Sequence, residues 1–253
     1  MREPRVFACH DDNVDSEFVA CPPGGREIVR TRRVRLGDVT ARGRVRLDSL
    51  ARYLQDVAAD DVDDAGVEGA WVMRRMALRI DRAPGWRDDV ELRTFCSGTG
   101  SRWAERRTTV SCGGKVAVEA VAVWVYLDDR GRPAPLQDWF FDLYGTAAGG
   151  RRVSGRLRHG SPPPEATRRP WPLRATDFDV LAHVNNAASW AAVEDELERV
   201  APGRPPVTAE IEYRAPVDPG DSVELRTVAA AERIRCWLTS GDDVRTSAVV
   251  RLA

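Results

Sequence analysis

The amino-acid sequence predicts an α+β fold made twice over in one chain, and three observations predict it. Arg82-Ala83-Pro84-Gly85-Trp86-Arg87-Asp88-Asp89-Val90-Glu91-Leu92-Arg93-Thr94 returns as Arg214-Ala215-Pro216-Val217-Asp218-Pro219-Gly220-Asp221-Ser222-Val223-Glu224-Leu225-Arg226-Thr227. Upstream, Asp38–Val45 aligns with Asp177–Val184. A single repeat of this length means two similar domains rather than a solenoid. In each half one amphipathic helix precedes a run of four strands, the pattern of an antiparallel sheet with its helix on one face.

In chain order, residues 1–25 read as a poorly ordered leader, rich in acids and ending in Pro22-Pro23-Gly24-Gly25. The first unit, 26–128, opens with a strand over 28–36. A helix follows: Asp48 is its expected N-cap, and Leu47, Leu50, Leu54, Val57, Ala58 and Val62 share a face. Strands are expected at 72–82, 88–97, 102–111 and 116–127, parted by Pro84-Gly85, Gly98–Gly100 and Gly113-Gly114. Residues 129–150 form a linker, and a strand is expected over 152–158. The second unit, 151–253, repeats the order. It has a strand at 171–175, a helix with Val184, Ala187, Ala188, Ala191, Leu197 and Val200 on one face, and strands at 207–214, 221–229, 232–239 and 243–252.

Composition narrows the function. Hydrophobic residues make 43% of the chain and charged residues 30%, a globular profile. The net charge of −1 and the absence of a clustered basic face give no expectation of a nucleic-acid partner. Cys9, Cys21, Cys96, Cys112 and Cys236 form no Cys-x-x-Cys pair, and His10, His159 and His183 are scattered. Neither a metal site nor a disulfide framework is expected, and no cofactor. Free thiols suit a cytoplasmic setting. The N-terminal residues lack the apolar stretch of a signal peptide, and no apolar run reaches the ~18 residues of a membrane span.

The chemistry concentrates in Asp177-Phe178-Asp179-Val180-Leu181-Ala182-His183-Val184-Asn185-Asn186, directly before a helix. A helix N-terminus offers unpaired N–H groups and partial positive charge. Such a donor, aimed at the oxyanion of an attacked carbonyl, is worth roughly 10²–10³ in rate. A neighbouring carboxylate serves as nucleophile or as general base on water. A thioester suits this equipment, because its thiol, with a pKa near ~8.5, leaves without a strong acid. The same residue types also serve as helix caps and turn formers. The first half acts as an internal control. It keeps Asp38 opposite Asp177 but has Thr40, Arg44, Arg46 and Leu47 opposite Asp179, His183, Asn185 and Asn186. Asp177 is therefore expected to be structural, and the other four residues functional.

The segment resembles the DxDxxxHVNN signature of the acyl-ACP thioesterase family, and the likeness runs over residues 27–252. Leu54-Gln55-Asp56-Val57-Ala58, Trp71-Val72-Met73-Arg74-Arg75-Met76, Trp86–Thr94, Trp103–Arg107, Val123-Trp124-Val125, Gly131-Arg132-Pro133 and Ile211-Glu212-Tyr213-Arg214 follow in the family's order. The resemblance implies a tandem double hotdog, each half an antiparallel sheet wrapped around one central helix. It implies hydrolysis of acyl thioesters to free fatty acids, with Asp179 and His183 catalytic and an acyl carrier protein or coenzyme A thioester as partner. Two positions depart from the family: Leu181 stands in place of an Asn, and Pro216-Val217 in place of a Glu-Cys pair. Asn185, Asn186 and Gln55 are then the polar groups left to contact substrate. Two other outcomes are a non-catalytic acyl-thioester-binding protein and a hotdog hydratase or dehydratase. Trp139, Phe140, Phe141 and Tyr144 are candidates to line an acyl tunnel. Arg151, Arg152, Arg156, Arg158, Arg168 and Arg169 are candidates to dock an acidic carrier. The internal pair is compatible with a monomer or a homodimer.

Overall fold

A computed structural model of the chain describes residues 18–66 and 69–253. The first half contains β1 (Glu27–Arg33), α1 (Leu47–Ala65), β2 (Ala70–Ile80), β3 (Asp89–Thr99), β4 (Trp103–Cys112) and β5 (Lys115–Leu127). α2 (Asp138–Ala148) follows, then β6 (Thr167–Pro170), α3 (Asn186–Val200), β7 (Pro206–Tyr213), β8 (Val223–Ala229), β9 (Arg233–Ser240) and β10 (Asp243–Leu252). All strands join one antiparallel sheet in the order β1-β3-β4-β5-β2-β7-β10-β9-β8-β6.

The seam between the halves is β2 against β7, from Arg75 opposite Glu212 to Arg79 opposite Thr208. Alternation along a strand sends successive side chains to opposite faces. Ile211 and Tyr213 face the helices, where the Tyr213 hydroxyl donates to the Asn186 carbonyl. Glu210 and Glu212 face away. α1 and α3 lie side by side on the helix face, and one apolar core unites Leu50, Leu54, Leu78, Trp190, Ile211 and Leu225. The acidic face of α1 is answered by β1 and the residue before it: Arg26 pairs with Asp61 and Asp64, Arg30 with Asp60, and Arg32 with Asp56.

The connection between the halves differs from its sequence reading in two ways. Residues expected to be a plain linker contain α2, which packs against β3 and buries Phe140, Tyr144, Ala147 and Ala148. Their i, i+4, i+7, i+8 spacing is a helical signal that the aromatic run obscured. The strand expected over 152–158 is absent, and only an isolated bridge joins Thr99 to Arg152. That stretch is a strap along the outer face of the sheet. Trp103 donates its indole N–H to the Val153 carbonyl at 3.0 Å, and Trp237 donates to the Gly160 carbonyl at 2.8 Å.

The remaining corrections are small. The N-cap of α1 is Arg46, not Asp48, which is the second helical residue and holds the Arg46 and Arg52 guanidiniums. The lead-in strand of the second half is β6, a few residues earlier than 171–175. Of the expected leader, residues 1–17 lie outside the described residues, whereas Phe18 lies under Arg79 at 4.8 Å.

Trp190 is fully buried at the centre of the shared core. Trp190→Ala is expected to cost ~3–5 kcal/mol in urea denaturation, with both halves unfolding in one transition. Two separated transitions would show that the halves fold independently.

Candidate functional site

The loop before α3 is a backbone copy of the loop before α1. In the first half Asp38 N donates to Arg35 O, Thr40 N to Arg44 O, Gly43 N to Thr40 O, and Arg46 N to Asp38 O. In the second, Asp177 N donates to Arg174 O, Asp179 N to His183 O, Ala182 N to Asp179 O, and Asn185 N to Asp177 O. Both loops begin with a carboxylate that ties down its own turn. Asp38 accepts from Arg35 N at 2.8 Å, and Asp177 from Arg174 N at 2.9 Å. Asp177 is thus part of the loop's construction.

The residues that differ give the second loop its chemistry. Asp179, half-buried, accepts the Leu181 N–H on one oxygen at 3.0 Å and lies 3.5 Å from the Asn185 amide nitrogen on the other. Asn185 caps α3, its side-chain oxygen accepting Ala187 N–H at 2.9 Å, so one amide fixes both the helix start and the Asp179 carboxylate. Asn186 is the first helical residue. His183 is exposed, with Nε2 3.5 Å from a carboxylate oxygen of Asp218. The backbone joins His183 to Asp179, while its ring turns toward Asp218. Ala182 has φ 58, in the left-handed region where the first loop uses Gly43 at φ 85. A non-glycine residue there stores strain, a feature that gathers at functional loops.

The constant offset between the loops also pairs Gln55 of α1 with Glu194 of α3, and here the halves diverge most. Glu194 accepts the Leu47 N–H, the first of α1, at 3.0 Å, and pairs with Arg44 at 2.6 Å. A carboxylate and a guanidinium therefore plug the N-terminus of α1. At the other helix the corresponding groups are Gln55 and His183. Among the described residues the Gln55 side-chain oxygen is buried without a hydrogen-bond partner. The N-terminus of α3 carries no such plug among the described residues.

Gln55 also opens onto a cavity of about 310 Å³ between α1, the sheet and α2. Ala58, Ala59, Val62, Trp71, Trp124 and Phe140 are among its walls. Trp139 and Tyr144 line it as well, whereas Phe141 is 42% exposed. At one edge Asp61, buried, holds Arg106 at 2.6 Å and Arg26 at 2.9 Å. Sequence reading missed Trp71 and Trp124 as pocket residues. Their alternation on β2 and β5 marks a face, but only the register shows that the two faces meet. Near the plugged helix N-terminus lies a larger cleft lined by charged groups, among them Arg42, Arg46, Asp48 and Glu198, a poor fit for a hydrocarbon.

Other candidates fall elsewhere. The Leu181 side chain is 64% exposed. Val217 is buried and its carbonyl accepts Val184 N–H, so the position of the expected Glu-Cys pair holds packing and backbone. Arg151 is spent on Glu105, and Arg169 on Asp195 and Glu196, which takes both out of the expected docking patch. On the outer face His159, Glu210 and Glu212 bring their ligand-type atoms within 4.8 Å of one another. Glu212 already accepts the Arg158 and His159 amides, and His159 Nδ1 lies 3.1 Å from the Ser247 hydroxyl. This cluster anchors the strap.

Two helices, each cradled by its half of a continuous antiparallel sheet, define a tandem double hotdog. A model of the acyl-ACP thioesterase N-terminal domain matches residues 26–144, and one of the C-terminal domain matches residues 160–247. The chain belongs to the acyl-ACP thioesterase family, a family of fatty acyl thioester hydrolases. It is 29% identical over 247 residues to the uncharacterized protein Rv2001 of Mycobacterium tuberculosis, covering 96% of this chain and 98% of that one. It is 25% identical over 166 residues to the chloroplastic acyl-[acyl-carrier-protein] hydrolase FATB2 of Cuphea viscosissima, covering 56% of this chain and 40% of that one. Its fold is similar to that of the 12:0-ACP thioesterase from Umbellularia californica, with TM-score 0.77, 18% identity, and 90% of this chain and 97% of that one covered. An acyl-ACP thioesterase from Bacteroides thetaiotaomicron matches with TM-score 0.75 and 17% identity over 90% and 98% of the two chains.

The strained loop gives a direct test. The left-handed conformation costs a non-glycine residue ~1–2 kcal/mol, and glycine's extra backbone entropy offsets ~0.5–1 kcal/mol of any relief. Ala182→Gly is therefore expected to stabilise the protein by roughly half to one kcal/mol in urea denaturation. A loss of stability would show that the methyl group packs productively.

Proposed function

We propose that the chain hydrolyses acyl thioesters of an acyl carrier protein or of coenzyme A, releasing a free fatty acid at the N-terminus of α3. One observation carries this reading: an apolar cavity runs to Gln55, at the place where Glu194 plugs the opposite helix. The acyl chain occupies the cavity.

The thioester carbonyl sits at the first N–H groups of α3, Asn186 foremost, where the helix dipole favours the oxyanion. Asp179 takes a proton from water as the water adds to the carbonyl carbon; the tetrahedral intermediate collapses, the C–S bond breaks, and the thiolate leaves. Asn185 holds Asp179 in place, and exposed His183 shares the released proton with solvent or with the departing thiol. Gln55 completes the polar rim from the opposite helix. No helix among the described residues is long and apolar enough to cross a membrane, and the reading needs none.

The orientation of His183 toward Asp218 and the apolar Pro216-Val217 favour a second reading, an acyl-thioester-binding protein without turnover. Thiol release from acyl-ACP and acyl-CoA substrates of eight to eighteen carbons separates the two. The wild type is expected to turn over one of the panel, with Asp179→Asn lowering kcat by ~10²–10⁴. Binding without thiol release from any substrate would select the second reading. Conversion of a 2-enoyl thioester to its 3-hydroxyacyl product, water adding across the double bond without thiol release, would select a hydratase.

A further inference from the structure

We propose that the acyl chain this cavity accepts carries a hydroxyl group close to its thioester end, at C2 or C3. The inference rests on the proposed thioester-hydrolase reading and names the class of acyl group.

Buried polar atoms are hydrogen-bonded as a rule, and each exception calls for a partner. The cavity is largely apolar, with Asp63, Glu105 and Arg106 also in its wall, and three of its side chains break the rule among the described residues. Among those described residues the Gln55 side-chain oxygen, an acceptor, and the Trp124 indole N–H, a donor, are both buried without a partner. The Tyr144 hydroxyl also lacks a bond there, but burial and the neighbouring Asp61 carboxylate hold its proton on, so it has a local partner in reach. An unsubstituted chain would leave both Gln55 and Trp124 unsatisfied. An oxo group accepts from Trp124 but offers nothing to Gln55. A hydroxyl both donates and accepts, and so answers the pair.

The internal repeat fixes where along the chain the hydroxyl sits. Glu194, the counterpart of Gln55, reaches the first N–H of the opposite helix at 3.0 Å. Gln55 thus stands at the same station facing the first N–H of α3, where the proposed carbonyl binds. Substituents within its reach are those one or two carbons from that carbonyl. An ordered water bridging the two groups is the alternative occupant, and it predicts no preference for hydroxylated chains.

The test measures kcat/KM for thiol release from decanoyl-, 2-hydroxydecanoyl-, 3-hydroxydecanoyl- and 3-oxodecanoyl-CoA, with wild type, Gln55→Leu and Trp124→Phe. Thermal melts check that the variants fold. One hydroxylated substrate is expected to exceed decanoyl-CoA by about tenfold, and this ratio falls to within about twofold in each variant. Equal use of decanoyl-CoA, a preference for the oxo substrate, or a ratio that survives in both variants overturns the proposal. If no substrate releases thiol, the hydrolase reading fails, and equilibrium binding of the same four thioesters decides the inference on its own. About tenfold tighter binding of a hydroxylated ligand, lost in the variants, upholds it; equal binding overturns it.

Discussion

The pairing of β2 with β7 is the constraint on which the rest of the molecule depends. Five consecutive residue pairs, from Arg75–Glu212 to Arg79–Thr208, turn two half-sheets into one surface and set α1 beside α3. Each helix then faces the other's N-terminus. Neither half could close the α1 terminus alone, because the carboxylate at the Leu47 N–H comes from α3. The strap reinforces the arrangement from outside, spanning from Trp103 in the first half to Trp237 in the second.

Identical backbones then diverge through a few side chains. At α1 the Glu194 carboxylate occupies the helix terminus and Arg44 neutralises it. Breaking such a half-buried arrangement is costly because it strands a charge. At α3, replacing carboxylate by amide and guanidinium by imidazole removes both plug and countercharge. What remains is a positive helix end and a carboxylate held by Leu181 N–H and Asn185. The duplicated fold thus supplies two geometrically similar stations, one spent on holding the halves together and one open.

Much of this was legible in the residues. The repeat, the expected strands over 88–97 and 243–252, and the structural role of Asp177 follow from local pattern and from comparing the halves. What escaped depended on tertiary context. α2 was hidden because its apolar spacing is carried by a run of aromatic residues, which packs as readily outside a helix. The strap differs from the expected strand because its partners are indole N–H groups and the outward-facing Glu212 rather than a neighbouring strand. Asn185 was singled out as a substrate contact, and the structure shows it first as the cap of α3. Gln55 was picked from the family pattern. Its meaning comes from Glu194, a relation invisible until both helices are seen to reach across the seam.

The central claim is that the two helix N-termini are unequal, with α3 open to an acyl thioester and α1 closed. Amide chemical shifts of Asn186 and Leu47 during titration with a non-hydrolysable decanoyl thioether of coenzyme A test it most directly. The account predicts that the Asn186 resonance moves and saturates with ligand while that of Leu47 stays fixed under Glu194. A saturating shift at Leu47 with Asn186 unmoved would contradict it.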